Sequence, residues 1–552
     1  MTFLTDELMS GSDWRGFERA VARVMSHCGW SSVRVIGRAG DQGGDILAVR
    51  PSGARKISFV VQSKAITGDR YVGKSPIDEA VAAQAAYGAQ VGVVATNGDF
   101  THSAKVRRDE LRDAGFDMKL WNGAFLRGLL EKWPSEHHER RELRDYQERV
   151  VTRCLAAYES GEKRAQFVLA TGLGKSVVAA QLLVELRQRG LKRALVLCDR
   201  QPLALQLEQS FWTQLPKDVP TRNFFGGAPP HAYDGVNFGL YQSLLGYLGG
   251  IDEDEFDVVI VDEAHHALAH GFRTCLTHLK PKFLVGMTAT PWLGDGSSID
   301  GLFGEPVDRV SLVDGMSAGY LAKVDYRIFC DNVDWDAVPS LSKNSLTVRD
   351  LNRKLFLPQR DEACIAEVAR AAAEMEHPRI AVFSPSIEHA RRFAQMLTTI
   401  AGIRCKCLSG VSRVEQNRAL MEFAAGTVEA VTAADVLNEG IDVPDVNILV
   451  FLRATHSRRI FVQQLGRGLR VTPEKSRVVV LDFVSDIRRI AVVSELDNEL
   501  RRQPGPENVY LGTGMVAFSD PQVGPFIDQW LSDVADLSEQ NDAHVLEFPE
   551  IA

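Results

Sequence analysis

Apolar residues recur along the chain in two rhythms. Within 12–133, FERAVARVM carries its apolar residues at helical spacing, while VRVIG, DILAV and ISFVVQSK are the short β-rich runs of strands. IDEAVAAQAAYGA returns to the helical spacing, and VGVVAT is the continuous apolar run of a strand covered on both faces. Together these predict a mixed α/β unit over 1–133. Pro134 opens a polar stretch, PSEHHERREL, whose lack of periodicity predicts a linker over 134–143. Beyond it FVLA, ALVLC, VNFGL, DVVIVD and FLVGMTAT, then IAVFSP, AVTAADV, NILVFL and VVVLDF, alternate with helical segments. That alternation predicts parallel sheets with helices on both faces, and the number of strands predicts two of them, over 144–320 and 321–485. In the remaining 486–552, IRRIAVVSELDNEL reads as a helix and PGPENVYLGTG as turns. FIDQWLSDVADL there places Phe526, Trp530, Leu531 and Val534 on one helical face.

Composition supports several buried cores. The 552 residues are 45% hydrophobic and 24% charged, an ordinary globular balance. No window is apolar enough for a bilayer span, and MTFLTDELMS lacks the basic-then-apolar order of an export signal, so a soluble cytoplasmic protein is expected. The eight cysteines never form CxxC, and neither a zinc nor a disulfide framework is expected. The net charge of −9 is uneven. Residues 483–552 hold 4 Lys+Arg against 13 Asp+Glu, whereas 1–133 hold 18 against 15, so the acidity belongs to the tail and a nucleic-acid partner is compatible with the rest. For the tail's amphipathic face, packing on its own body is the plain reading. Docking of a partner subunit, or mimicry of nucleic-acid charge, is the alternative.

Two segments carry phosphate chemistry. ATGLGKS at 170–176 follows an apolar run and precedes VVAAQLLVELRQR, the strand, loop and helix context of a phosphate cradle. Backbone N–H groups of Thr171, Gly172, Leu173 and Gly174 can approach phosphates there, Lys175 supplies a point charge, and the Ser176 hydroxyl can ligate Mg²⁺. Leu169 stands where the strict GxxxxGKS/T pattern has its first glycine. DVVIVDEAHH then ends a strand in Asp262 and Glu263, a pair suited to a metal-facing carboxylate beside one that orients the attacking water. His265 and His266 follow, but hard oxygen ligands fit Mg²⁺ better than zinc.

These segments resemble a superfamily-two helicase or translocase of the DEAH-type group found in restriction-enzyme motor subunits. LRDYQ, with Tyr146 and Gln147, is similar to that family's adenine-contacting element, and LCDRQPLALQ, with Arg200 and Gln206, to its first strand-tracking motif. YQSL with Gln242 and Ser243 resembles another strand-contacting motif, and TATP (Thr288, Ala289, Thr290, Pro291) the element that couples hydrolysis to movement. NEGIDVP (Glu439, Gly440, Asp442, Pro444) and QQLGRGLR (Gln463, Gly466, Arg467, Arg470) match later motifs, so the resemblance spans 143–485. It implies two RecA-like domains that bind ATP and Mg²⁺, with Gly440, Asp442 and Gln463 near the nucleotide. Arg467 and Arg470 are then expected to stabilise charge on the γ-phosphate as the second sheet closes on the first. Ala434 stands where many members have threonine; Thr432, two residues earlier, is expected to take over its strand contact.

In the N-terminal unit Asp45 sits at the start of a strand, and Gln62 and Lys64 lie two apart on the next, which period two places on one face. Asp45 can hold Mg²⁺, Gln62 offers a neutral carbonyl ligand, Lys64 can position water, and Glu18 on a helix can add a second carboxylate. A surface lysine on an edge strand is the plain alternative. The order FERAVARVM, GDQGGDI, VVQSKA, VVATNGDFTHSA and AGFDMKLWNGAFLRGLLEK over 12–132 resembles the Mrr or type IV restriction group of PD-(D/E)xK endonucleases, in which Gln at this position is a known variant. The combined expectation is an ATP-dependent DNA translocase with an attached Mg²⁺-dependent endonuclease, in restriction-like or anti-phage defence. Its partners would be DNA, and either further subunits or copies of itself. Two other readings stand beside it: a remodelling or repair ATPase whose N-terminal unit binds DNA without cutting, and an RNA helicase.

Overall fold

The computed structural model describes residues 2–37, 42–53, 55–68, 71–225, 233–289, 298–329, 345–347, 361–434, 446–452, 477–483, 516–518 and 545–547. Thr290, Pro291, Glu439, Gly440, Asp442, Pro444, Gln463, Gly466, Arg467 and Arg470 lie outside them, as do the three tail segments singled out above. Two compact units result. One comprises Met1–Leu169, Gly174–Arg309 and Ser412–Ala425; the other comprises Ala170–Leu173, Val310–Val411 and Gly426–Ala552. Among the described residues no helix is long and apolar enough to cross a membrane.

The first unit contains two sheets. The N-terminal one has the order β1-β2-β3-β5-β7, from Ser31–Val35, Ile46–Ser52, Arg55–Lys64, Val91–Thr96 and Asp117–Trp121. Its β1, β2 and β3 run antiparallel, and β5 and β7 then add in parallel. A separate parallel pair joins β4 (Tyr71–Val72) to β6 (Asp99–Phe100). The alternation in the strands decides which helix covers which face. Ile46, Ala48, Phe59 and Val61 join the core of α2 (Trp14–His27) and α5 (Gly123–Glu131), where Trp30 meets Phe59 and Trp121 edge-on. Leu47, Val49 and Val60 point the other way, toward α3 (Ser75–Tyr87), and α4 (His102–Asp113) covers Val94 and Met118 beside it. Helix α2 starts cleanly because the Asp13 carboxylate accepts from Gly16 N–H at 2.8 Å; a short α1 (Asp6–Met9) precedes it.

The second sheet has the order β10-β11-β9-β12-β13-β8-β14. Its strands are β8 (Arg164–Leu169), β9 (Arg193–Cys198), β10 (Thr221–Phe224), β11 (Gly235–Leu240), β12 (Val258–Asp262), β13 (Phe283–Thr288) and β14 (Pro306–Val310). The pairs from β8 to β13 are parallel, which their unbroken apolar runs require once helices lie on both faces. Helices α6 (Asp145–Glu159), α7 (Lys175–Gln188) and α8 (Gln201–Trp212) connect and cover them.

The second unit is built on a third sheet. Its strands Cys405–Cys407, Ala430–Ala433, Ile380–Phe383, Ile448–Phe451, Arg477–Phe483, Lys323–Phe329 and Val516–Phe518 stand in that spatial order and pair in parallel. A short antiparallel pair, Ser345–Thr347 with Val545–Glu547, stands apart. The α/β class and both parallel sheets are therefore as the sequence predicts. The 134–143 segment forms neither helix nor strand, yet it is no loose tether: His137 is buried, and Lys217 N–H donates to the Ser135 carbonyl at 2.8 Å.

Candidate active sites

In a parallel sheet the loops that follow the strands gather at the carboxyl edge, and ligand chemistry is built there. The loop after β8 is shaped by Gly172 and Gly174, at φ of +91° and +82°, conformations that side chains resist. A Cβ on Gly174 would lie 2.6 Å from Gln147 Nε2, so this glycine also lets the loop close on that glutamine. Gln147 is held in place from both sides: its Oε1 accepts from Arg144 N–H at 3.0 Å, and its Nε2 donates to the Tyr146 hydroxyl at 3.3 Å. Tyr146 itself is buried and backs Gln147 rather than lining the loop. Leu173 buries its side chain and donates its N–H to the Ala170 carbonyl, whereas Thr171, Gly172, Gly174, Lys175 and Ser176 keep accessible surface. Lys175, the first residue of α7, reaches back to the Leu169 carbonyl at 3.5 Å.

Two strands away, β12 delivers Asp262 and Glu263 to the same edge. Burial pushes the Asp262 carboxyl up to about 7, the Glu263 charge adds to that, and Lys175 and the Glu263 N–H oppose it. A desolvated Asp262 carboxylate with Glu263 beside it and Lys175 opposing its charge is a donor set that a hard divalent cation would complete with the Ser176 hydroxyl. Glu263 sits at φ +46°, ψ +54°, an unusual, strained backbone for a non-glycine residue. The strained turn leads into the 3₁₀ segment Ala264–Leu268, which packs on β13 because Gly286 leaves room; a Cβ there would lie 2.8 Å from the Phe303 ring. His265 is thereby fixed with its Nδ1 at 2.9 Å from the Thr288 hydroxyl, and both are fully buried. The same Nδ1 lies 3.4 Å from Glu263 Oε2, so the ring links Glu263 to Thr288, a tie the sequence did not announce.

Arg200, at the N-terminus of α8, and Gln242 and Ser243, just past β11, stand on the other half of the same edge, after neighbouring strands. Arg200 and Gln242 are exposed, as a strand-contacting role requires. Thr432 is different. It is fully buried and its hydroxyl donates to the Ala390 carbonyl at 2.8 Å, so it presents nothing to a nucleic acid and the expected substitution for Ala434 does not hold.

In the N-terminal unit β3 presents Gln62 and Lys64 on the α3 side, and Asp45 precedes β2 on the same side. Asp45 Oδ2 accepts from Gln62 Nε2 at 2.9 Å and from Ser63 N–H at 2.5 Å. Lys64 Nζ lies 2.8 Å from Glu79 on α3, a partner that sequence spacing could not reveal because it depends on how α3 crosses the sheet. Gln42, Gly43, Gln62, Lys64, Glu79 and Ala82 line a cavity of about 520 Å³. Glu18 arrives from the opposite layer. It is buried, and its carboxylate fills the space beside Gly37, whose N–H donates to the Asp45 carbonyl at 3.1 Å. Among the described residues no three acidic, histidine or cysteine side chains converge tightly enough to hold a metal.

Residues 9–130 match the family described as restriction endonuclease (Mrr catalytic), 140–293 match the type III restriction enzyme res subunit, and 361–472 match the helicase conserved C-terminal domain. The type I restriction enzyme EcoAI endonuclease subunit of Escherichia coli is 25% identical over 381 residues, 62% of this chain and 46% of that protein. The DNA 3'-5' translocase XPB2 of Sulfurisphaera tokodaii is 24% identical over 373 residues, 61% of this chain and 81% of its own. In structure, the ATP-dependent type ISP restriction-modification enzyme LlaBIII bound to DNA shares the fold with TM-score 0.51 and 17% identity, over 96% of this chain and 42% of that one. The chain spans about half the length of the first curated relatives it matches. It joins an Mrr-type restriction endonuclease domain to the two domains of a helicase core related to restriction-enzyme motor subunits.

Proposed function

We propose that this protein is an ATP-driven DNA translocase carrying its own Mg²⁺-dependent endonuclease, working in restriction-like defence. The observation that carries the reading is the shared carboxyl edge of the second sheet, with Lys175, Asp262 and Glu263 on one half and Arg200, Gln242 and Ser243 on the other. Chemistry on one half can then be felt on the other through the strands between them. We assign the domains as 1–133 endonuclease, 134–143 connection, 144–320 and 321–485 RecA-like, and 486–552 acidic extension.

Lys175 neutralises phosphate charge, the amides of Thr171, Gly172 and Gly174 cradle it, and Gln147 holds the loop in shape from behind. Ser176 and Asp262 would hold Mg²⁺, which when bound supplies charge neutralisation at the phosphates. Glu263 orients the attacking water, and its strained backbone aims the carboxylate. His265 passes the state of that carboxylate to Thr288. Gly440, Asp442, Gln463, Arg467 and Arg470 keep the nucleotide-facing roles that their motifs imply. In the endonuclease Asp45 and Gln62 would hold Mg²⁺, and Lys64 orients the water or the scissile phosphate once it leaves Glu79. The nucleic acid is DNA, and further subunits or copies of the chain complete the assembly.

A second reading, a DNA-binding platform without cleavage, draws support from the occupied donors: Asp45 Oδ2 already accepts twice, and Lys64 is already paired. Plasmid cleavage with Mg²⁺ and ATP decides between them. Wild type should cut, and Asp45→Ala and Lys64→Ala should not; equal cutting by all three defeats the assignment, and no cutting by wild type on any DNA form favours the platform. Stimulation of ATP turnover by RNA in place of DNA would redirect the reading to an RNA helicase.

A further inference from the structure

Helix α2 does two things at once. Its buried Glu18 lies against Gly37 in the endonuclease layer, while the residues one and five positions later leave that domain for the motor. Arg19 Nε lies 3.4 Å from Glu208 on α8, and Glu208 is fixed in turn by the Thr221 hydroxyl at 2.7 Å and Asn223 Nδ2 at 2.8 Å. Arg23 is buried, donates to the Val219 carbonyl at 2.7 Å and the Pro216 carbonyl at 3.2 Å, and packs its guanidinium 4.1 Å from the Phe3 ring centre. Phe3 N–H donates to the Lys217 carbonyl at 2.6 Å, and Lys217 Nζ returns to the Trp133 carbonyl at 2.8 Å, just past the end of α5. Trp212, the last residue of α8, is buried in the hydrophobic core of the endonuclease.

Adhesion alone would not need this arrangement. Trp212 already supplies apolar burial, whereas an interior guanidinium brings a desolvation cost and repays it chiefly in register. Two arginines on one face of α2, four residues apart, both aimed at α8 and the segment behind it, fix the rotation and the axial position of α2. The other end of α8 is Arg200, in the half of the sheet edge proposed to touch the nucleic acid.

We propose that Arg19 and Arg23 are positioning residues of the endonuclease, coupling α2, and with it Glu18, to α8, so that strand engagement at Arg200 sets the geometry in which the phosphate is cut. This rests on the nuclease reading above. Neither arginine touches substrate; both act through Glu18 and the neighbouring Gly37, whose N–H holds the Asp45 carbonyl. Cleavage is thereby governed by the state of the motor, beyond the local concentration of DNA that a tether would provide.

The test uses the full chain and the variants Arg19→Met, Arg19→Lys and Glu208→Gln. Three quantities are measured: DNA-stimulated ATP turnover, Mg²⁺-dependent plasmid cleavage with and without ATP, and hydrogen exchange of the 14–27 amides with and without DNA plus a non-hydrolysable ATP analogue. We expect Arg19→Met to keep wild-type ATP turnover and ATP-free cleavage while losing ATP-stimulated cleavage about tenfold, as a small misplacement of a reacting group does. Arg19→Lys should restore most of the loss. A double-mutant cycle with Glu208→Gln should be non-additive. The exchange response of 14–27 in wild type should vanish in Arg19→Met. ATP turnover falling in step with cleavage, or a wild-type exchange response that Arg19→Met leaves intact, overturns the coupling. Absence of cleavage in wild type overturns instead the nuclease reading, and the exchange data then judge the coupling separately.

Discussion

The seating of the 134–143 segment on α2 should weaken in mild acid, and His137 is the reason. Its Nδ1 accepts from Glu139 N–H at 3.0 Å, so the neutral ring carries its proton on Nε2, which faces Ser26 Oγ at 3.1 Å. Protonating Nδ1 breaks the first bond and sets a buried cation near His138, His27 and Arg23. Burial, with His138, His27 and Arg23 adding to it, lowers the His137 pKa from 6.5 to about 3, and His27 is lowered in the same direction. The unfolded chain therefore binds more protons below pH 6.5 than the folded one. Stability is full above that pH and falls as the pH drops toward 3. With these two values the loss from pH 7.5 to 5.5 is about 1.3 kcal/mol for His137 alone, an upper figure because partial solvation softens it. His137→Asn keeps an acceptor for Glu139 N–H and removes the titration. Urea unfolding followed by tryptophan fluorescence should show the wild type losing about 1 kcal/mol more than the variant between these two pH values. Equal losses would refute the reasoning, since they would mean that His137 accepts its proton without penalty where it stands.

Three further outcomes follow from the geometry. Lys175→Ala should abolish ATP turnover while leaving the fold intact, because a half-exposed cation at a helix start is removed without opening a core; turnover near wild type in a phosphate-release assay refutes the loop assignment. Thr288→Val keeps the side chain's shape but removes the hydroxyl 2.9 Å from His265 Nδ1, which should cost about 1 kcal/mol and lower Tm by a few degrees, and DNA should then stimulate hydrolysis less. A Tm and DNA stimulation both equal to wild type would sink it. Glu79→Gln should release Lys64 from a half-exposed pair worth ~0.5 kcal/mol and tighten DNA binding about twofold in Ca²⁺, read by fluorescence anisotropy. Weaker binding would show that Glu79 holds Lys64 in place rather than competing for it.

What the sequence discloses depends on how local each signal is. β9, β11, β12 and β13 are legible because a strand covered on both faces must be apolar throughout, and glycines at left-handed φ mark the loop before Lys175. The edge strands TRNF and PVDRV at β10 and β14 are mixed in polarity, and no run distinguishes them from loops. Gln62 and Lys64 share a face by strand parity alone, but Glu79 reaches Lys64 only through the crossing of α3, and His265 reaches Thr288 only through sheet neighbours 23 residues apart. Thr432 shows the limit of parity. Its spacing from Ala434 suits a substitute contact, yet depth in the sheet, which spacing does not encode, hides its hydroxyl. The same blindness applies to the predicted linker: polar composition cannot show that His137 is buried against Ser26 and His27 of α2.

Trp212 has an implication for ancestry and engineering. A side chain encoded within the motor completes the interior of the cutting domain, so a gene fusion that swapped one cutter for another would leave an indole without a seat and a hole in the new arrival. Exchangeable cassettes need self-sufficient interiors. These two would have to be inherited, or redesigned, as a matched set.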